Sequence, residues 1–404
     1  MKGKGEVKSQ KSKVKILSEF SPPHPTSYTL VPTPYSLLPT LMYDIAIIGA
    51  GMAGLACAQQ LHQAGYNVLI LEKSRGLGGR IATRRLHDTL ADHGTCYLKP
   101  KGELMQQFVQ LLCDRHILQV WTDNSEFCRD AQQYAPTKSE FRYVAPAGMN
   151  AIAKFLGQGL QIWRSQRVEA IAFHNSYWQL SLESARPEAT ANRWSEVIAK
   201  AVVFAIPAPQ ALAILEPLTE LSTVATLCDR LRSVEFNPCL SVMAGYSSQL
   251  EPQPDWQAVS FVDNPVLAWV GWDSSKRVEK TGNYEVFVVQ SSADFARRYL
   301  ETSDLQAAGY ELLAKASECL LLWLAKPEWI QVHRWRYAFP SRPLVQSYLS
   351  TETELPLVCC GDWCGGNFVE GAMHSGIAAA TEINRQMEGR SLPGSNFLQA
   401  IALG

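Results

Sequence analysis

The chain has 404 residues, 47% of them hydrophobic and 19% charged, with a formal net charge of -1. That length supports large buried cores and roughly two or three domains, and that composition excludes wholesale disorder. The near-balance of charge gives no electrostatic reason to expect a nucleic-acid partner. No apolar run reaches the roughly 18 residues of a membrane-spanning helix, so no membrane partner is expected. The ten cysteines form no C-x-x-C pair and sit mostly among apolar residues. Reduced, buried thiols in a cytoplasmic protein, with no metal site, are the expectation.

Residues 1–41 open lysine-rich and continue into a Pro/Ser/Thr-rich stretch, "SPPHPTSYTLVPTPYSLLP". Such a composition buries little, so a disordered extension is expected, with Met42 the functional start or the extension a dispensable tail. A targeting role is the rival. The apolar run Ile45–Ala58 does not read as a secretion signal, because the basic residues lie far upstream and three glycines interrupt it.

From Tyr43 the pattern is strand, glycine-rich turn, helix, strand. "DIAIIGA" is the first strand, "GLACAQQLHQAG" has helical spacing with a glycine stop at Gly65, and "NVLILEK" is the second strand. Gly49 permits the tight turn, Gly51 lets the backbone approach a pyrophosphate, and Gly54 lets the helix pack on the sheet. The helix N-terminus adds free N–H groups and roughly half a positive charge. Glu72 ends the second strand, where a carboxylate accepts hydrogen bonds from ribose hydroxyls. Strand, triplet, helix and acidic strand end together predict dinucleotide binding. A second glycine loop, Gly76, Gly78 and Gly79, leads into Arg80, Arg84 and Arg85, whose forks suit a diphosphate, or, for the last two, a solvated basic turn. Lys73 and Gly79 complete the cofactor-binding set at this end.

Further on, "QIWRSQRVEAIAFHNSYWQLSLES" alternates and breaks at His174-Asn175-Ser176, a predicted antiparallel hairpin. "AKAVVFAIPAPQALAIL" reads as a buried strand turning into a helix, and residues 239–272 and 284–292 carry more strands. "GYELLAKASECLLLWL" predicts a helix. The end returns to a strand, "LPLVCCGD", then a glycine loop and a helix from about Gly371 to Met387. The expected fold is α/β: a Rossmann-like FAD-binding domain of the glutathione-reductase-like kind, interleaved with a smaller mixed-sheet substrate domain. Residues 42–98, 146–215 and 350–390 are expected to form the first, 99–145 and 216–349 the second, and 391–404 a tail.

The ordered motifs "GAGMAGL", "EKSRGLGGRIATRR", "DHGTCYL", "YVAPAGMNAIAKFL", "VVFAIPAPQA", "HRWRYAFP" and "GDWCGGNFVEGAMHSG" resemble the renalases, a branch of the flavin amine-oxidase superfamily, of the bacterial type. The resemblance runs from Met42 to about Met387. It implies non-covalent FAD in an extended pose, with Ala53 and Arg80 at the pyrophosphate and Glu72 at the ribose. It implies Val168 at the adenine, Gly94, Cys96 and Tyr97 beside the flavin ring, and Asp362 near the ribityl chain. Glu370, Gly371 and Ala372 would open the last helix under the flavin, where N–H donors favour the anionic reduced ring.

The activity it implies is oxidation of dihydronicotinamide isomers of NAD(P)H by hydride transfer to FAD. Dioxygen reoxidises the flavin and hydrogen peroxide is released. The rivals are an amine oxidase or desaturase-like flavoenzyme on another small substrate, and a flavin-binding protein without turnover. Three positions depart from the bacterial-type pattern: Cys96 stands where Gln is usual, Gln290 where His is common, and Phe368, preceded by Asn367, where Arg is common. Candidate pocket residues are Asp273 and Lys276 in "WDSSKR", Gln290, and His333, Trp335 and Tyr337, which alternation places on one strand face. Asp273 and Lys276 read equally as a polar surface turn, and the strand residues equally as a core stripe. Cys364 reads as a packing thiol.

Overall fold

The computed structural model describes residues 42–404, except 123–125, 130–132, 137–140, 175, 185–195, 250–251, 278–282, 352–354, 367 and 404. The extension before Met42, Asn175 and Asn367 therefore lie outside the described residues.

The run "IAII" is apolar at every position because its strand, Met42–Ile48, is covered on both faces. Ile45 and Ile47 enter one core and Ala46 and Ile48 the other, as the period of two requires. This strand pairs in parallel with Val68–Glu72 on one side and Glu196–Phe204 on the other. Gln161–Arg164 extends the parallel set beyond Val68–Glu72, and Leu357–Cys359 beyond Glu196–Phe204. The antiparallel hairpin Gln166–His174 and Tyr177–Ser184 adds to the far end of Glu196–Phe204, and Leu349–Thr351 pairs with Leu357–Cys359. One face of this sheet packs on the helices Met52–Gln63, Ala151–Leu156 and Phe368–Gln386; the other packs on Ala208–Leu215 and Ser222–Arg232. The helix Glu103–Asp114 buries Met105, Phe108, Val109 and Leu112 in the first of these cores, although residues 99–145 were expected to go with the second sheet.

The second sheet is built from Trp329–Pro340, Phe236–Ser247, Tyr284–Ser291, Leu267–Trp272, Ala258–Phe261, Glu126–Arg129 and Gln133–Pro136, in that order. It is antiparallel except between Ala258–Phe261 and Glu126–Arg129, hence mixed. Its outer face carries Val242, Ala244, Val270, Phe287 and Val289 against the helix Gln306–Cys319. That helix ends at Cys319, earlier than the apolar run "LLLWL" suggests: Leu320 leaves helical geometry at φ -126, ψ -81, and a short 3-10 turn follows at Leu322–Ala325. The inner face carries Met243, Val286, Val288 and Trp269, which share a smaller core with Ala91 and Cys96.

The closing helix spans Phe368–Gln386, so it opens earlier than the expected start near Gly371. A β-carbon on Gly371 would sit 2.1 Å from the carbonyl oxygen of Gly366, so only glycine lets the first turn stack on the preceding loop.

Candidate active site

Two glycines of the first loop are dictated by contact. Gly49 has φ +107, and a β-carbon there would lie 2.6 Å from the Ala205 carbonyl oxygen. A β-carbon on Gly54 would lie 2.0 Å from the Gly49 carbonyl oxygen, which is the close approach expected from the triplet. Gly51 differs: a β-carbon there would meet nothing within 4 Å. The open side lies at the start of the helix Met52–Gln63, whose N-terminus has no side-chain cap. Free N–H groups, the helix dipole and open backbone make this cradle fit a pyrophosphate. Ala53, in the first turn, is buried against the closing helix at Gly376.

Glu72 is buried, and its two carboxylate oxygens accept from Ala50 N at 2.8 Å and Ser74 N at 2.7 Å. It ties the loop to the second strand, and each oxygen keeps a lone pair for a ribose hydroxyl. Lys73 is exposed, with Nζ 3.4 Å from Gln210 Oε1. The second glycine loop is fastened to the first, Gly78 N donating to Ala50 O at 2.9 Å, and Gly79 lies beside Gly51. Val168 is buried at a bulge in its strand. Arg80 forms a bidentate pair with Asp362, at 2.7 and 2.6 Å, and donates to Ala338 O at 3.0 Å. The structure thus joins two expected cofactor residues from opposite ends of the chain.

The segment His93–Tyr97 runs from this pair along the inner face of the second sheet. Thr95 N donates to Arg80 O at 2.8 Å, and Gly94 is so close to Arg80 that a β-carbon would lie 2.0 Å from its oxygen. Across from it, ladder register sets Ser241 between His333 and Gln290, with Trp269 opposite Gln290. Directly opposed residues share a face, so these four form one row. Gln290 Nε2 donates to Gly94 O at 2.8 Å and lies 3.5 Å from Cys96 Sγ. Trp335 Nε1 donates to His93 O at 2.8 Å, and its ring stacks on His93 at 5.4 Å, with His333 edge-on to both. Of the predicted pocket residues, Gln290, His333 and Trp335 therefore meet at one place. Tyr337 does not join them: a register shift near Asn237–Cys239 interrupts the alternation, and its ring packs against Phe236.

His93 is held down to about 3, first by burial and then by His333 and Arg84; His333 is held down to about 4, by burial and Arg84. Both rings are neutral near pH 7. Five buried polar atoms at this face have no hydrogen-bond partner among the described residues: His93 Nδ1, Ser241 Oγ, Trp269 Nε1, Trp329 Nε1 and Gln331 Oε1. Buried polar groups are nearly always paired, so these are positions that a ligand or ordered water would complete.

Asp273 and Lys276 are fully buried, so the surface-turn reading of "WDSSKR" does not hold for them. Lys276 Nζ lies 2.5 Å from Asp273 and 3.3 Å from Asp92; Arg277 lies 2.6 Å from Asp273 and 3.0 Å from Asp92. Asp92 also accepts from Thr83 Oγ1 at 2.6 Å and Met149 N at 2.9 Å. Burial pushes the Asp92 carboxyl up, but Lys276 and Arg277 outweigh it and hold it below its usual range. This is a clasp of two carboxylates and two cations that fastens "WDSSKR" to the hairpin Thr83–Asp92. Glu370 also has a fixing role, accepting from Gly102 N at 2.7 Å and Lys101 N at 3.2 Å, while Gly371 and Ala372 lie in the closing helix's first turns. The thiols of Cys96 and Cys364 are free, and burial pushes both well up, so they stay protonated.

Residues 47–112 match the model of the NAD(P)-binding Rossmann-like domain, and residues 125–384 match that of the flavin containing amine oxidoreductases. The chain belongs to the flavin containing amine oxidoreductase family. Membership makes FAD the cofactor and oxidoreductase the enzyme class. Over 66 residues, 16% of this chain, it is 39% identical to an L-amino-acid oxidase of Crotalus adamanteus and 38% identical to one of Sistrurus catenatus edwardsii. Each match spans 13% of the relative's length. The fold is similar to putrescine oxidase, with TM-score 0.61 and 14% identity over 86% of this chain and 100% of that one. It is also similar to the cyclohexylamine oxidase of Brevibacterium oxydans IH-35A, with TM-score 0.59 and 14% identity over 86% and 99% of the two chains. No helix among the described residues of this family member is long and apolar enough to cross a membrane.

Sequence reasoning passed over several residues of this site. His93 and Asp92 stood inside a quoted motif, "DHGTCYL", without being singled out. Ser241 and Trp269 lie in apolar strands where nothing local distinguishes them; only the ladder register brings them to Gln290.

Proposed function

We propose that this protein is a renalase-like oxidase of dihydronicotinamide isomers of NAD(P)H, holding FAD without a covalent bond. The observation that carries the reading is the balance of charge around the site. The carboxylates there, Asp92, Asp273 and Asp362, are each matched by a cation, Lys276, Arg277 or Arg80. Arg84, whose charge is felt at His93 and His333, has no carboxylate partner among the described residues. Among the described residues no spare anion waits for the ammonium group of an amine, and a spare cation suits an anionic dinucleotide.

FAD bound here would supply the two-electron chemistry, hydride from the reduced nicotinamide ring and onward to dioxygen, giving NAD(P)+ and hydrogen peroxide. The chain itself needs no strong base, consistent with His93 and His333 being neutral. Gly51 and the helix N-terminus at Met52 would bind the pyrophosphate, Glu72 the ribose, and the row His333–Ser241–Gln290 would orient the substrate ring. The sequence division into an FAD-binding part and a substrate part is proposed on the same ground.

The test is anaerobic mixing of the FAD-loaded protein with aged NADH containing the isomers. Loss of the visible flavin band is expected with the isomers and not with putrescine or cyclohexylamine. Bleaching by amines alone would replace this reading with amine oxidation, and no bleaching by any donor would leave a flavin-binding protein without turnover.

A further inference from the structure

Arg142 opens the strand Arg142–Val144 and stands opposite Thr122 in a two-stranded ladder. It is only 4% exposed, and its Nη1 has no hydrogen-bond partner among the described residues. No carboxylate among the described residues pairs with it. Its contact is with a ring: the guanidinium carbon lies 4.7 Å from the centroid of Tyr97. An ion taken out of water without a counter-ion is strongly unfavourable, and a cation–π contact offsets this only in part. The surroundings make the imbalance worse: the Lys99 ammonium is pushed down by burial, then by Lys101 and Arg142.

A second observation lies beside the same ring. Trp269 is 6% exposed, its Nε1 has no partner, and its ring centroid is 6.4 Å from that of Tyr97. Both unpartnered groups are donors that cannot accept. What completes them is acceptor-rich and, opposite a guanidinium, anionic. Tyr97 is half-buried and continues the segment in which Cys96 touches Gln290, so this spot adjoins the row described above.

We propose that Arg142, with Tyr97 and Trp269, forms an anion subsite that takes a carboxylate or phosphate group of the substrate. The planar fork of arginine matches either group with two parallel hydrogen bonds. The assignment rests on the reading above for the position of the flavin, and it adds the chemical handle by which the substrate is held.

The test uses the FAD-loaded full chain, titrated with benzoate, its neutral isostere benzamide, and inorganic phosphate, following the visible difference spectrum of the flavin. At least one anion is expected to bind more tightly than benzamide, on the order of tenfold. Arg142→Met is expected to abolish that preference and Arg142→Lys to restore part of it, all with wild-type FAD content. Preference for benzoate identifies a carboxylate subsite, and preference for phosphate a phosphate subsite. Equal binding of benzamide and both anions by the wild type would overturn the proposal, as would an anion preference that persists in Arg142→Met. If Arg142→Met does not accumulate, the wild-type comparison and Arg142→Lys still decide. Bleaching by the isomers without anion preference would sink the subsite alone; anion preference without bleaching would sink the substrate reading alone.

Discussion

Two sets of buried cations flank the segment Asp92–Tyr97, and they keep opposite company. Lys276 and Arg277, at one end, share two carboxylates whose remaining oxygens are also hydrogen-bonded. Arg142, at the other end, is similarly buried and among the described residues has no ion-pair partner, its contact being the ring of Tyr97. Burial alone does not tell a structural charge from a functional one. The presence of a counter-ion inside the fold does: the paired cluster holds elements together, and the unpaired cation waits for something that is not part of the chain.

The largest expected effect tests the paired side. Lys276→Met leaves two buried carboxylates short of a cation and should cost about 3–5 kcal/mol of stability in urea denaturation. Arg142→Met in the same assay should stay within about 1 kcal/mol of the wild type, because no buried partner is orphaned. Equal losses in the two variants would erase the distinction. Arg80 lies between the extremes, paired bidentately with Asp362 but 28% exposed along its side chain. Arg80→Lys should cost about 1.5 kcal/mol, the lower end for hydrogen bonds to charged groups, and lower the fraction of protein purified with FAD.

A pH test concerns the neutral histidines. His93 and His333 are lowered from 6.5 to about 3 and about 4 in the folded protein. Between those values and about 6.5 the unfolded chain binds protons that the folded one refuses, so stability falls as pH drops through that window and is flat above it. The melting temperature of the wild type should therefore decline from about pH 6.5 toward 4, with a shallower decline in His333→Gln. A pH-independent melting temperature over that range would mean the rings are not held neutral by the fold.

The first sheet was legible because its signals are local. Strand, glycine triplet, helix and Glu72 lie within one stretch of sequence, and Gly49 and Gly54 answer to contacts only a few residues or one strand away. The inner face of the second sheet was legible only in part. Alternation found His333 and Trp335 but overran a register shift and swept in Tyr337. "WDSSKR" carries no period that separates a surface turn from a buried clasp, and Asp92, which decides the matter, lies 184 positions from Lys276. Arg142 was overlooked because one arginine in a short strand reads as a solvated residue. The start of the closing helix was set late because Gly371 resembles a helix boundary, whereas Gly371 is needed inside the first turn for close packing.

The ion pair between Arg80 and Asp362 spans 282 positions. A ribosome makes Arg80 well before the Asp362 that pairs with it. On the proposed placement of FAD, an emerging polypeptide has only half a grip on the prosthetic group until Asp362 and the closing helix have also been made. Truncations that stop short of the closing helix should accumulate without colour, however well their first β-α-β unit has formed.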